Sequence, residues 1–264
     1  MPDIRDLMRA DPVVVSSDTS LVSCALHLVR HPEWRMLIAR DGDAGTVEGV
    51  VDDIAVFGNG VMLKDGLWFA FEPEGPDVAG TVAIEVPMVE GSEPAGTALR
   101  ELGGRSAIIV LDEGEVVGLV TEHDVLSIAP SILREEQRVD ETASRPVISV
   151  SSSTTAQQAL QRMGDARIRH LVVVDDGELT GVVSLRDVVA GWVGPETPLE
   201  RLLTKDPFTL LLGTSLRTAA GQMAERDVGC MPVLDGEGEL VAILTRADIV
   251  SALAAASDDE DLFA

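Results

Sequence analysis

Three short stretches place a hydroxyl and a carboxylate three residues apart behind an apolar run: Gly118-Leu-Val-Thr121-Glu-His-Asp124, Gly181-Val-Val-Ser184-Leu-Arg-Asp187 and Ala242-Ile-Leu-Thr245-Arg-Ala-Asp248. Thr121 and Ser184 stand 63 positions apart and Ser184 and Thr245 61, so the pattern recurs in step with a repeated unit. Two kinds of chemistry fit it. Ser/Thr-x-x-Asp opening an apolar helix is a capping box, which satisfies backbone N–H groups and needs no ligand. The same residues suit a phosphorylated ligand, because a helix N-terminus attracts phosphate and a carboxylate one turn on accepts from two adjacent hydroxyls. Phosphate also needs local positive charge in an acidic chain, and Arg186, Arg246, Arg167, Arg169 and His170 supply it in the second half. Glu113, Glu115 and Glu122 leave Thr121 and Asp124 the weaker pair, with His123 as the ring that offers help.

The elements that must position these residues repeat as well. Residues 146–190 line up with 207–252: each has Pro, a short β-rich run, a Ser/Thr-rich helix start, an apolar strand, a Gly-containing turn, a second apolar strand and a short helix. In the earlier of the two, Thr154 and Thr155 cap a helix whose Ala156, Ala159, Leu160 and Met163 follow helical spacing on one face. Asp175, Asp176 and Gly177 then divide two Val/Leu-rich runs, a hairpin signal. The unit is βαββα. Residues 86–129 carry another copy, with its helix around Ala98 to Leu102 and its turn at Asp112, Glu113 and Gly114. Residues 4–57 carry a looser first copy, in which the motif reads Gly49-Val-Val-Asp52-Asp-Ile-Ala55. A carboxylate replaces the hydroxyl there and Ala replaces the Asp, so this copy should not take a phosphorylated ligand in the same way. Residues 58–80, with Trp68, Phe69 and Phe71, read as an extra hairpin or packed connection, or as a partner surface; residues 130–145 read as a partly helical join.

The formal net charge is −25, and Lys64 and Lys205 are the only lysines. Such a field repels phosphate backbones and anionic membranes, which argues against nucleic acid and membrane partners. It also makes a compact fold repel itself unless salt screens the charges, to a Debye length of roughly 3 Å at 1 M, which points to a salt-rich cytoplasm such as that of a halophilic archaeon. Cys24 and Cys230 lie far apart and read as buried thiols in a reducing compartment. The N-terminus has no cationic stretch followed by an apolar one, and no apolar run approaches the roughly 20 residues a membrane helix needs, so a cytoplasmic location is expected. No GxSxG, GxxxxGK or His/Glu metal motif is present, and the chain is not expected to be an enzyme.

The unit and its motif resemble the CBS domain family, regulatory modules whose signature is Gly, two apolar residues, Ser/Thr, two variable residues and Asp. The resemblance spans about nine tenths of the chain and implies an α/β (α+β) protein of four βαββα CBS repeats packed as two CBS-pair (Bateman) modules. The N-terminal pair would lie within 1–130 (repeats about 4–57 and 80–130, insert 58–80). The C-terminal pair would span 139–254 (repeats about 139–192 and 198–254), followed by an acidic tail, 255–264. It further implies that Ser/Thr reaches a ligand phosphate while Asp accepts from the two ribose hydroxyls. Expected binding residues are therefore Ser184, Arg186, Asp187, Thr245, Arg246 and Asp248, with Arg169 and His170, and more weakly Thr121 and Asp124. Val147, Ser149, Phe208 and Thr209 would line the adenine, and the methyl of Ala242, where the other motifs have Gly, would narrow the cleft. The ligand implied is AMP, ADP or ATP. The alternatives are a sensor of S-adenosylmethionine or NAD, or a non-catalytic scaffold for a partner enzyme or transporter. A homodimer or an intrachain pseudo-dimer is expected, and a separate effector protein is the further partner implied.

Overall fold

The structure is a computed structural model that describes residues 3–31, 34–42, 45–58, 61–64, 67–70, 78–190 and 193–256, with 61–64, 67–70 and 256 described as backbone. In chain order, α1 (Ile4–Leu7) and β1 (Arg9–Ala10) lead into repeat one: β2 (Val14–Ser16), α2 (Leu21–Arg30), β3 (Met36–Arg40), β4 (Val47–Asp52) and α3 (Asp53–Phe57). The strands β5 (Val61–Lys64) and β6 (Leu67–Ala70), then α4 (Ala79–Val82), precede repeat two: β7 (Met88–Glu90), α5 (Ala95–Leu102), β8 (Ala107–Asp112), β9 (Glu115–Thr121) and α6 (Glu122–Leu126). Helices α7 (Ala129–Ile132) and α8 (Val139–Thr142) precede repeat three: β10 (Ser149–Val150), α9 (Ala156–Ala166), β11 (His170–Asp175), β12 (Glu178–Ser184) and α10 (Leu185–Ala190). A 3-10 turn at Leu199–Arg201 and β13 (Thr204–Lys205) precede repeat four: β14 (Leu210–Leu211), α11 (Leu216–Arg226), β15 (Cys230–Leu234), β16 (Leu240–Thr245) and α12 (Arg246–Ala256).

Every repeat is thus β-α-β-β-α, and local chemistry explains the order. The first two strands of each repeat run parallel, which requires a crossover, and the helix supplies it. The second and third strands are antiparallel. In repeats two and three they are joined by Glu113-Gly114 and Asp176-Gly177, all four at positive φ, as the two-residue turn favoured between twisted strands demands. Thr155 caps α9 in a reciprocal box with Gln158, and Ala156, Ala159, Leu160 and Met163 are buried on one face. The expected extra hairpin is present as the antiparallel pair β5–β6; Phe71 lies outside the described residues, as do residues 257–264 of the acidic tail. The join after repeat two is helical at α7 and α8.

The packing units are not the contiguous halves 1–130 and 139–254. One unit comprises Met1–Pro12, Val86–Val147 and Phe208–Ala264, the other Val13–Glu85 and Ile148–Pro207. Repeats two and four therefore share one core, and repeats one and three share the other. The cause lies in the helices. In the first unit α12 packs on α5 and α6, burying Ile249, Val250 and Leu253 against Ala98, Leu99 and Leu102. In the second α3 packs on α9 and α10.

Each repeat also carries, on its third strand, the segment that precedes another repeat. β1, ahead of repeat one, pairs with β9 of repeat two, and Ile84, ahead of repeat two, bridges Val50 of repeat one. Ser144, ahead of repeat three, bridges Ile243 of repeat four, and β13, ahead of repeat four, pairs with β12 of repeat three. These leading segments are exchanged within each sequence half.

Candidate functional site

Each motif sits where a strand ends and a helix begins, and in each the hydroxyl and the carboxylate are bonded to each other. Ser184 ends β12; its backbone N–H and its Oγ both donate to Asp187 Oδ2, at 2.7 Å each, and the Asp187 N–H donates back to Ser184 Oγ at 3.2 Å. Thr245 and Asp248 repeat this at 2.7, 2.7 and 3.4 Å. In repeat two the Thr121 N–H and hydroxyl donate to Asp124 Oδ2 at 2.9 and 2.7 Å. The capping box is therefore real in all three. It does not exhaust the carboxylate, which offers about four acceptor positions, because the cap consumes only Oδ2.

The second oxygen differs between repeats. Asp124 Oδ1 accepts from Arg9 Nε at 3.3 Å, and Asp248 Oδ1 accepts from Ser144 Oγ at 2.7 Å. Asp187 Oδ1 has no partner among the described residues. Sequence reasoning did not reach Arg9 or Ser144. Their signal was the short distance to the proline that opens each repeat, as in Arg9-Ala-Asp-Pro12 and Ser144-Arg-Pro146.

The cations divide. Arg169, expected beside the ligand, is held by repeat one: its Nη2 lies 3.0 Å from Asp52 Oδ2 and its Nε 2.8 Å from Asp53 Oδ1. Asp52 is only 2% exposed, and its other oxygen caps α3 through the Ala55 N–H at 2.7 Å. The carboxylate that replaces the hydroxyl in repeat one thus attracts the arginine, a correction to its expected role. Arg246 is likewise redirected: it is buried, and its Nη2 bonds Asp227 Oδ1 at 2.7 Å. Arg186 is exposed on the first turn of α10, and His170 stands in register opposite Ser184. Ser149 and Thr209 are exposed and Val147 is half-buried; Ser149 shares a unit with Ser184, whereas Val147 and Thr209 share one with Thr245. Phe208 is exposed and carries the Arg226 guanidinium 4.7 Å over its ring, a cation–π contact.

The motif glycine is explained by the leading segment. A Cβ at Gly181 would meet Thr204 O at 2.5 Å, and one at Gly118 would meet Arg9 O at 2.7 Å. Ala242, at the same position in repeat four, is completely buried in the core of its unit.

His123 on α6 lies 3.6 Å from Asp227, the carboxylate that also holds Arg246. Burial first and the Arg246 charge second push its imidazole below the usual 6.5, with Arg9 adding to this and Asp124 and Asp227 opposing it. The folded state therefore prefers neutral His123, while the unfolded chain takes up the proton near 6.5. Stability should fall as pH drops through about 6.5 and level off below the folded value. Melting curves of the wild type and His123→Gln should diverge across that window, the variant showing the flatter dependence.

The sequence matches the family model described as CBS domain at residues 4–57, 79–131, 139–194 and 196–255. The chain belongs to the CBS domain family. Among relatives, the uncharacterized protein MJ1404 of Methanocaldococcus jannaschii is 27% identical over 273 residues, covering 95% of this chain and 62% of its own length; the chain thus spans about three fifths of that relative. The crystal structure of protein MJ1225 from the same organism superposes with a TM-score of 0.76 at 17% identity, over 96% of this chain and 100% of that one. A conserved protein from Pyrococcus horikoshii superposes with a TM-score of 0.64 at 18% identity, over 95% and 99%. These two likenesses establish the fold. Among the described residues no group of three or more His, Cys, Asp or Glu is placed to hold a metal ion, and no helix is long and apolar enough to cross a membrane.

Proposed function

We propose that this chain is a regulatory protein that senses an adenine nucleotide, AMP, ADP or ATP, through the motifs of repeats three and four. The observation that carries the reading is the Ser184/Asp187 pair: the cap fixes the carboxylate through Oδ2 and leaves Oδ1 uncommitted beside the Ser184 hydroxyl and the exposed Arg186. A ribose diol at Oδ1 and a phosphate near Ser184 use the two groups without breaking the fold. MJ1225, whose structure is described as that of a candidate archaeal homolog of g-AMPK, supports a nucleotide-sensing role. The charge of −25 is the reason to test the protein in molar salt. Calorimetric titration with AMP, ADP, ATP, S-adenosylmethionine and NAD should give binding by an adenine nucleotide that Asp187→Ala weakens. Silence towards all five, or binding indifferent to Asp187→Ala, would refute it.

Repeat one favours a second reading, a scaffold. Its motif has neither the hydroxyl nor the aspartate, and the Asp52–Arg169 pair closes it internally. A scaffold would keep the same melting temperature and oligomeric state with every nucleotide while holding a partner enzyme or transporter.

A further inference from the structure

The four leading segments cross the motifs at one common register. Opposite the residue that follows each motif's first position stand Arg9 on Leu119, Ser144 on Ile243, Thr204 on Val182 and Ile84 on Val50. We propose that this leading-segment residue is an internal occupant of the motif carboxylate: it closes repeats two and four to ligand and leaves repeat three open. The proposal rests on the nucleotide reading above and narrows it from the motifs of repeats three and four to that of repeat three alone.

The argument is one of acceptor sites. Oδ2 of Asp124, Asp187 and Asp248 already takes an N–H and an O–H from the cap, so a vicinal diol must use Oδ1, with two lone pairs for two hydroxyls. In repeat two the Arg9 guanidinium is there first, and the Asp124 side chain is only 8% exposed; a ligand must expel a cation from a buried carboxylate. In repeat four the Ser144 hydroxyl takes one of the two positions at 2.7 Å. In repeat three no hydrogen bond joins Thr204 to Asp187 among the described residues, and Oδ1 keeps both. Repeat one has Ala55 in place of the aspartate, and the residue at the crossing is Ile84. The crossing residue is polar in the three repeats that have a motif carboxylate and apolar in the one that lacks it. The arrangement lets one chain carry three intact motifs and yet respond through one.

The test is calorimetric titration of the full chain with AMP, comparing the wild type with Ser144→Ala, which vacates Asp248 Oδ1, and Thr204→Arg, which installs the Arg9 arrangement over Asp187. The wild type should show a single binding event and Ser144→Ala a second one. Thr204→Arg should weaken the original event by roughly tenfold or more. Thr204→Lys serves as a second version if the arginine prevents folding, and Ser144→Thr, which restores a hydroxyl, should return to a single event. Either Ser144→Ala or the Thr204 variant binding like the wild type overturns the gate while the nucleotide reading stands. A silent wild type with a binding Ser144→Ala upholds the gate and overturns the assignment to Asp187. Silence in every protein overturns both.

Discussion

Arg169→Ala should destabilise the unit built from repeats one and three by about 3–5 kcal/mol, the range for removing one partner of a buried ion pair. The size follows from what is left behind. Asp52 has almost no solvent exposure, and Arg169 supplies its close cation at 3.0 Å. Arg167, at 3.8 Å and 58% exposed, is a poor replacement because water screens it. Asp53 loses its contact too, but it is more exposed and hydrates more readily. Asp52→Ser separates the charge effect from simple loss of packing. Serine keeps the cap on the Ala55 N–H, as the hydroxyls of the other motifs do, and removes the buried charge. In that background Arg169→Ala should cost less than about 1 kcal/mol, and the double-mutant cycle, read from denaturant unfolding, gives the coupling directly. An equal loss in both backgrounds would mean that Arg169 acts through its aliphatic stem and not through Asp52.

That pair also marks where the sequence stops being legible. The βαββα order could be read because its causes are local: Thr155 with Gln158 at a helix start, Asp176-Gly177 at a turn, and apolar runs at strand or helix spacing. The motif chemistry was readable for the same reason, since a Ser184–Asp187 bond spans three residues. Arg169 lies 117 positions from Asp52, and nothing near it distinguishes a cation awaiting phosphate from one already matched to a carboxylate. The partner was foreshadowed only by the anomaly at Asp52, which reads as a lost function and also marks a gained contact. The exchange of leading segments was hidden in another way. Arg9 and Ser144 precede the first strand of their own repeats and read as linker, but they act on Asp124 and Asp248 of other repeats. The helix partnerships were equally illegible, because α5 and α12 present similar Ala/Leu faces and composition does not name which meets which.

Small residues record those partnerships, and one of them yields a prediction whose sign is diagnostic. Gly164 lies inside α9, where an alanine should be the better helix former by about 1 kcal/mol. Propensity alone therefore predicts that Gly164→Ala stabilises. The structure predicts the reverse: a Cβ there would stand 2.7 Å from the Gly58 Cα and 2.9 Å from the Gly58 carbonyl oxygen, both backbone atoms that no rotamer change can move aside. Gly58, which follows α3, meets Gly164 reciprocally, its own Cβ position lying 2.7 Å from the Gly164 Cα. The two helices of repeats one and three can approach only because neither residue has a side chain. Gly164→Ala should then destabilise by about 1–3 kcal/mol, the usual range for overpacking a core contact. Gly221, inside α11 of the other unit, is the control. A Cβ there meets nothing nearer than Pro130 Cγ at 3.9 Å, so Gly221→Ala should stabilise by about 0.5–1 kcal/mol. Opposite signs from the same substitution, measured by denaturant unfolding, would show that the approach of α3 to α9 sets the identity of residue 164. Stabilisation at both positions would mean that the two helices stand further apart than 2.7 Å requires.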